Sequence, residues 1–235
     1  MPDQADPDTL GALDALRTRW AQALKSAQAT TSHRPPADPT PYADNLLTRY
    51  QEPQRRYHTL THLTAVLDHI DVLEQAEAGY APDPGLVRLA AWFHDAVYAP
   101  DRSENEERSA RLAERALPEA GVSATDTAEV ARLVRLTVTH APAPHDHNGQ
   151  TLCDADLAIL AAPQETYAAY TAAVREEYGF VPEDAFREGR AAVLRQLLAL
   201  PRLFRTPYGA QVWEGPARAN VAAELKRLEA APGPL

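Results

Sequence analysis

A single cysteine, Cys153, in 235 residues excludes an internal disulfide framework, because a crosslink needs two. Such a chain fits a reducing compartment. No apolar run approaches the roughly 20 residues that a membrane-spanning helix requires. The N-terminus, Met1-Pro-Asp-Gln-Ala-Asp6, is acidic where a secretory signal is basic and then apolar. The expected location is therefore cytoplasmic, with no membrane partner. Lysine is nearly absent as well: of 23 basic residues only Lys25 and Lys226 are lysine. Arginine abundance is thus a bias of the whole chain, and one arginine says little about phosphate binding. The net charge of −10 repels nucleic-acid backbones and anionic membranes at long range, which excludes a nucleic-acid-coating role. A small phosphate ester in a locally positive cleft remains compatible with that charge. No stretch has the alternation of a strand, and no internal repeat is visible.

What is present is helix. Hydrophobic residues make up 45% of the chain, enough for a substantial core. Leu10, Leu13, Leu16, Trp20 and Leu24 mark one face of a helix over about 9–29. Four prolines in 30–41 then predict a surface loop in which His33 is solvated. Further helices are predicted over about 43–50, from Thr59 or Thr61 to Gly79, and over 85–98. Ser103-Glu-Asn-Glu106 has the form of a capping box opening a helix to Pro118. The pattern continues with a helix over 125–139 ending at His140. A loop through His145 and His147 follows, and then a helix from Thr151, with Asp154 as N-cap, that Pro163 limits. Three more cover 164–178, 183–200 and 214–230. The fold class expected is all-α, a single domain over 1–235 in which helices 9–50 and 164–230 pack on a core at about 57–160.

Within this pattern Leu89-Ala-Ala-Trp-Phe-His94-Asp95-Ala-Val-Tyr98 stands out. The run is apolar nearly all round, as in a helix buried in a core. Leaving an ionised Asp95 there without a partner costs many kcal/mol, so it must be paired, hydrogen-bonded or bound to a cation. His62 shares an inward stripe with Val66 and Leu73, and with His58 and His69 if the helix starts early enough. Asp156 lies on the inward side of its helix beside Leu157. Asp154, two residues earlier, points about 200° away and cannot face the same site. His62, His94, Asp95 and Asp156 form a mixed N/O set suited to Mn²⁺, Mg²⁺, Fe²⁺, Co²⁺, Ni²⁺ or Zn²⁺. A structural zinc site at His58-x-x-x-His62 is the weaker alternative, since structural zinc usually recruits cysteine.

The order His62, then His94-Asp95, then Asp156 across helices resembles the HD superfamily of metal-dependent phosphohydrolases, over about Tyr57 to Leu160. His62-Leu-Thr-Ala-Val66 is similar to that family's first histidine helix, Trp92-Phe-His94-Asp95 to its name-giving pair, and Ala155-Asp156-Leu157 to its last metal aspartate. Tyr57-His58, Asn105-Glu-Glu-Arg-Ser109 and Asp154-Ala-Asp156-Leu resemble a subgroup of predicted HD phosphohydrolases, a resemblance that does not name the substrate. The resemblance implies an HD-domain-like helical bundle whose His62, His94, Asp95 and Asp156 bind a divalent ion. Metal-bound hydroxide would attack phosphorus in a small phosphorylated metabolite, in particular a nucleotide.

The nucleoside monophosphatases of the superfamily place a glutamate three residues after the aspartate, and Tyr98 stands there. Proton handling then passes, by expectation, to Glu106 or Glu107. His58, His140, Arg56 or Arg108 would neutralise phosphate oxygens. Asp95, Glu106, His58 and His140 are thus the expected catalytic groups, and a homodimer is an expected assembly. The alternative class is a non-catalytic regulatory domain that binds metal and nucleotide without turnover. Glu106 and Glu107 also have a purely structural reading, as favourable charges on the first turn of their helix.

Overall fold

The computed structural model describes residues 7–28 and 38–230, with side chains from residue 10 onward; of the loop expected over 30–41, the part with His33 lies outside the described residues, and Thr40 and Pro41 already belong to a helix. Among these residues the chain is all helical, with ten α-helices and no strand. The helices are α1 (Pro7–Gln28), α2 (Thr40–Tyr50), α3 (Leu60–Ala76), α4 (Pro84–Phe93) and α5 (Asn105–Glu119). They continue as α6 (Ala124–Leu136), α7 (His147–Leu157), α8 (Gln164–Glu177), α9 (Glu183–Ala199) and α10 (Glu214–Ala230). A short 3₁₀ turn, Ala158–Ala161, follows α7, and a π-helical turn, Gly209–Trp213, leads into α10. None of these helices is long and apolar enough to cross a membrane.

The main apolar cluster draws on α1 to α7. Its densest part is aromatic: Trp20 of α1 meets Trp92 and Phe93 of α4 edge-on, at ring-centroid distances of 5.5 and 5.9 Å. Edge-to-face pairs at this spacing add roughly 0.5–1.5 kcal/mol to simple burial. Helices α1 and α4 approach closely at Gly85, where a Cβ would stand 2.7 Å from Ser26 Oγ. A second cluster joins Leu160, Tyr167, Leu194, Phe204, Ala217 and Val221 of the C-terminal half. Trp213, in the π-helical turn, packs against both clusters.

Local structure departs from the sequence pattern in three places near the site. Helix α4 ends at Phe93, so His94 is its C-cap and Asp95 lies beyond it, whereas the apolar run predicts helix to Tyr98. The chain unwinds because other groups take its backbone: the Arg55 guanidinium binds the Asp95 and Ala96 carbonyls (2.8 and 3.4 Å), and Val97 N–H donates to Ser109 Oγ (3.0 Å). Helix α5 starts at Asn105 without the predicted capping box, its N-cap Glu104 making no side-chain cap bond. Asn105 instead bridges the preceding turn, accepting from Ala99 N–H and donating to the Ala99 and Arg102 carbonyls. Helix α7 starts at His147 with Asp146 as N-cap, accepting from Gly149 N–H at 2.9 Å. Asp154 is therefore not a cap but a mid-helix residue with no surface exposed.

Candidate metal centre

Three helices converge on the polar cluster. His62 sits in the first turn of α3, after an extended Thr59 starts the helix. His94 and Asp95 follow the end of α4, and Asp156 occupies the last turn of α7. The Nε2 atoms of His62 and His94 are 3.1 Å apart. Asp156 Oδ1 lies 3.2 Å from His62 Nε2 and 3.6 Å from His94 Nε2. Asp95 Oδ2 lies 3.3 and 3.0 Å from the same two nitrogens. His62, His94 and Asp156 each offer a ligand atom within 4.8 Å of the others, so this trio could hold a metal ion. Asp95 is outside that trio but touches both of its imidazoles.

The donor spacing fits a cation. Atoms bound at about 2.0–2.2 Å to one centre, in tetrahedral or octahedral arrangement, stand roughly 2.8–3.6 Å from one another. His94 Nδ1 donates to the Ala91 carbonyl at 2.7 Å, which in a neutral ring leaves Nε2 as a lone pair facing the cluster. Two imidazole nitrogens and two carboxylate oxygens then point at one another, an arrangement that protons or a cation must hold together. Burial by itself would lower the pKa of both histidines. The carboxylates overcome it: hydrogen bonds to Asp156 and Asp95 lift His62, and the charges of Asp95 and Asp156 lift His94 well above the ordinary range. Burial would raise both aspartates, yet the surrounding histidines hold Asp95 and Asp156 well below theirs. The negative charge of the two carboxylates that draws protons onto the imidazoles also favours a cation. With neutral imidazoles, as ligation requires, the two carboxylates leave the site at −2.

The remaining expected residues are distributed unevenly. His140, at φ +48° just after α6, places Nε2 2.7 Å from Asp156 Oδ2 and so joins the cluster from a third side. His58 lies outside α3, its ring 5.6 Å from that of His62, with Nδ1 2.7 Å from Glu177 Oε2. His69, the last of the proposed stripe, hydrogen-bonds the Ala155 carbonyl (3.0 Å), and burial lowers its pKa. Glu106 is half-buried at the start of α5 and is felt electrostatically by Tyr178. Among the described residues no hydrogen bond or ion pair connects it to the cluster. Glu107 is bound to Arg111 and Arg135, which bring it down to about 2. The Arg56 guanidinium donates to the Pro53 and Arg55 carbonyls and lies 3.7 Å from Glu176. Arg108 is exposed.

Two residues that organise the site carry no signal in the sequence. Glu177, at the end of α8 and with no side-chain surface exposed, accepts the backbone N–H groups of Arg56, Tyr57 and His58 on Oε1 (2.8, 2.8 and 2.9 Å). Its Oε2 meets His58 Nδ1 and the Tyr98 hydroxyl (2.9 Å). Burial would raise its pKa, but the His58 hydrogen bond and charge and the backbone donors bring it to about 2. Arg55, equally enclosed, ties the His58 carbonyl (2.9 Å) to that of Asp95 (2.8 Å) and stacks over Tyr50 and Tyr98. A carboxylate 119 residues from His58, and one arginine in a chain full of them, are visible only in three dimensions.

Asp154 points away from the cluster, as its offset of two from Asp156 requires. It accepts the N–H groups of Arg205 (2.9 Å) and Thr206 (2.7 Å), fixing the segment before α10 against α7. Gly209 belongs to the same contact, where a Cβ would stand 2.7 Å from Asp154 Oδ2. Burial raises Asp154 to about 6 in spite of these donors.

A cleft of about 290 Å³ opens beside His62 and Asp156, walled by α3 and α8 and floored by the end of α7. Comparison with protein-family models, curated proteins and solved structures finds no match to this chain.

Proposed function

We propose that this chain is a divalent-metal-dependent phosphohydrolase acting on a small phosphorylated metabolite, as its resemblance to the HD superfamily implies. The observation that supports the reading is the meeting of two imidazole nitrogens and two carboxylates from three helices at 3.0–3.6 Å. His62, His94 and Asp156 would hold the ion, with Asp95 as the fourth donor and His140 orienting Asp156 from outside. When bound there, a divalent ion supplies Lewis acidity toward water and a phosphoryl oxygen.

The chain's own groups account for the rest. His140 Nε2 is committed to Asp156, whereas His58 is held by Glu177 through Nδ1 and leaves Nε2 for the substrate. With its ring fixed by Glu177, His58 is the group of this chain proposed to move a proton or to neutralise a phosphate oxygen at the site. Arg56 lines the cleft, but its guanidinium is held by the Pro53 and Arg55 carbonyls and by Glu176, so the phosphate charge falls to the ion and to His58. The alternative, a regulatory domain that binds metal without turnover, takes its support from Tyr98, which stands where related monophosphatases carry a glutamate. Elemental analysis of the purified protein, with a phosphate-ester screen under added Mn²⁺, separates the two. Turnover lost on chelation supports the hydrolase, bound metal without turnover favours the regulatory domain, and failure to bind metal overturns both.

A further inference from the structure

The cleft beside the cluster differs in chemistry from the cluster itself. Ala65 of α3 and Ala169 and Ala173 of α8 line it, and their short side chains leave the space that larger residues would fill. Ile159 and the Tyr170 ring add apolar surface, with the Tyr170 hydroxyl turned to Arg190 at 3.1 Å; Thr59, Thr61 and Thr166 also line the cleft and bring no charge. Among the described residues Arg56 is its only lining arginine or lysine, and that guanidinium already serves two carbonyls and Glu176. A second or third phosphate entering here would find no uncommitted cation among the described residues. An alkyl chain or an aromatic ring would leave water against alanine, isoleucine and tyrosine. The size suits such a group, since small-molecule pockets start at about 300 Å³.

We infer that the cleft receives the uncharged, apolar alcohol portion of a phosphate monoester whose phosphate lies at His62 and Asp156, and that it selects against polyphosphates and polar esters. This inference rests on the hydrolase reading for its substrate, though the apolar selection can be read by binding alone.

Hydrolysis of ethyl, hexyl and 2-phenylethyl phosphate is compared with that of glycerol phosphate, AMP and ATP under Mn²⁺. The alkyl leaving groups are close in intrinsic reactivity, so differences among them report the cleft. Hexyl phosphate should exceed ethyl phosphate in kcat/KM by about 10²-fold, the order expected when four more methylenes leave water. In Ala173→Phe, which fills the cleft, the hexyl-to-ethyl ratio should collapse to within a few-fold of one. Calorimetric binding of hexylphosphonate and ethylphosphonate to the Mn²⁺-loaded protein gives the second readout. If no ester is turned over but hexylphosphonate binds about 10²-fold tighter, and Ala173→Phe removes that preference, the hydrolase reading fails while the cleft assignment stands. Equal values for the hexyl and ethyl compounds in both measurements, or a preference for ATP or glycerol phosphate, overturn the assignment.

Discussion

Glu177 is the residue whose replacement should be felt most widely, because one buried carboxylate holds the 56–58 backbone, the His58 ring and the Tyr98 hydroxyl. In Glu177→Ala three N–H donors lose their acceptor and His58 its partner. Removing one side of a buried charged network costs about 3–5 kcal/mol, and that is the expected loss in chelator-treated protein by urea denaturation. Glu177→Gln keeps an oxygen for the backbone donors but turns an amide toward His58, so about half that loss is expected for an intact acceptor with a missing charge.

The pH dependence gives a sharper test. The folded carboxyl titrates at about 2 against an ordinary 4.5, a gap of about 3 kcal/mol at roughly 1.4 kcal/mol per pH unit. Because the folded value is depressed, this contribution is complete above pH 4.5 and fades as the pH falls toward 2. Asp95 and Asp156 titrate in both proteins, so the quantity to follow is wild type minus Glu177→Gln. That difference should shrink steadily from pH 5 to pH 2.5. A difference independent of pH, or a Glu177→Ala variant within about 1 kcal/mol of wild type, would refute the central role given to this carboxylate.

Other outcomes are equally specific. Asp156→Asn and His62→Ala should lose stoichiometric Mn²⁺ binding while keeping the far-ultraviolet helical signal; retained stoichiometry in either variant contradicts the ligand set. His140→Ala should weaken metal affinity about 10- to 100-fold, as removal of an outer-shell partner does, and unchanged affinity by competition with a chelating dye would separate His140 from the site. Glu106→Gln should leave metal content and kcat close to wild type, since no contact joins it to the cluster; a fall of about 10²-fold or more with metal retained would restore it as a proton-transfer group. Asp154→Ala should cost about 2–4 kcal/mol in urea denaturation by orphaning the Arg205 and Thr206 N–H groups, with metal binding preserved; a change below about 0.5 kcal/mol would deny it that tether.

Apolar periodicity by itself determined that this protein is helical, and it located most helices to within a few residues. Each amphipathic face has only one way to leave water, so the pattern is local information. The same logic marked His62, His94, Asp95 and Asp156, because a charged or polar group on an inward face must find a partner, whatever that partner is. Local pattern failed where backbone groups bond across the fold. Helix α4 stops at Phe93 because Arg55 and Ser109 claim the next peptide groups, and α7 starts at His147 because the Asp146 side chain caps it, a role that nothing in a His-Asp-His loop distinguishes from that of a solvated turn. The roles of Glu177 and Arg55 depended wholly on tertiary structure, for a carboxylate on α8 reads as a surface charge until folding places three backbone donors and His58 around it. The cleft is likewise a property of the assembled helices: alanines at 65, 169 and 173 are ordinary helix residues singly, and line a cleft only when α3 and α8 face it together.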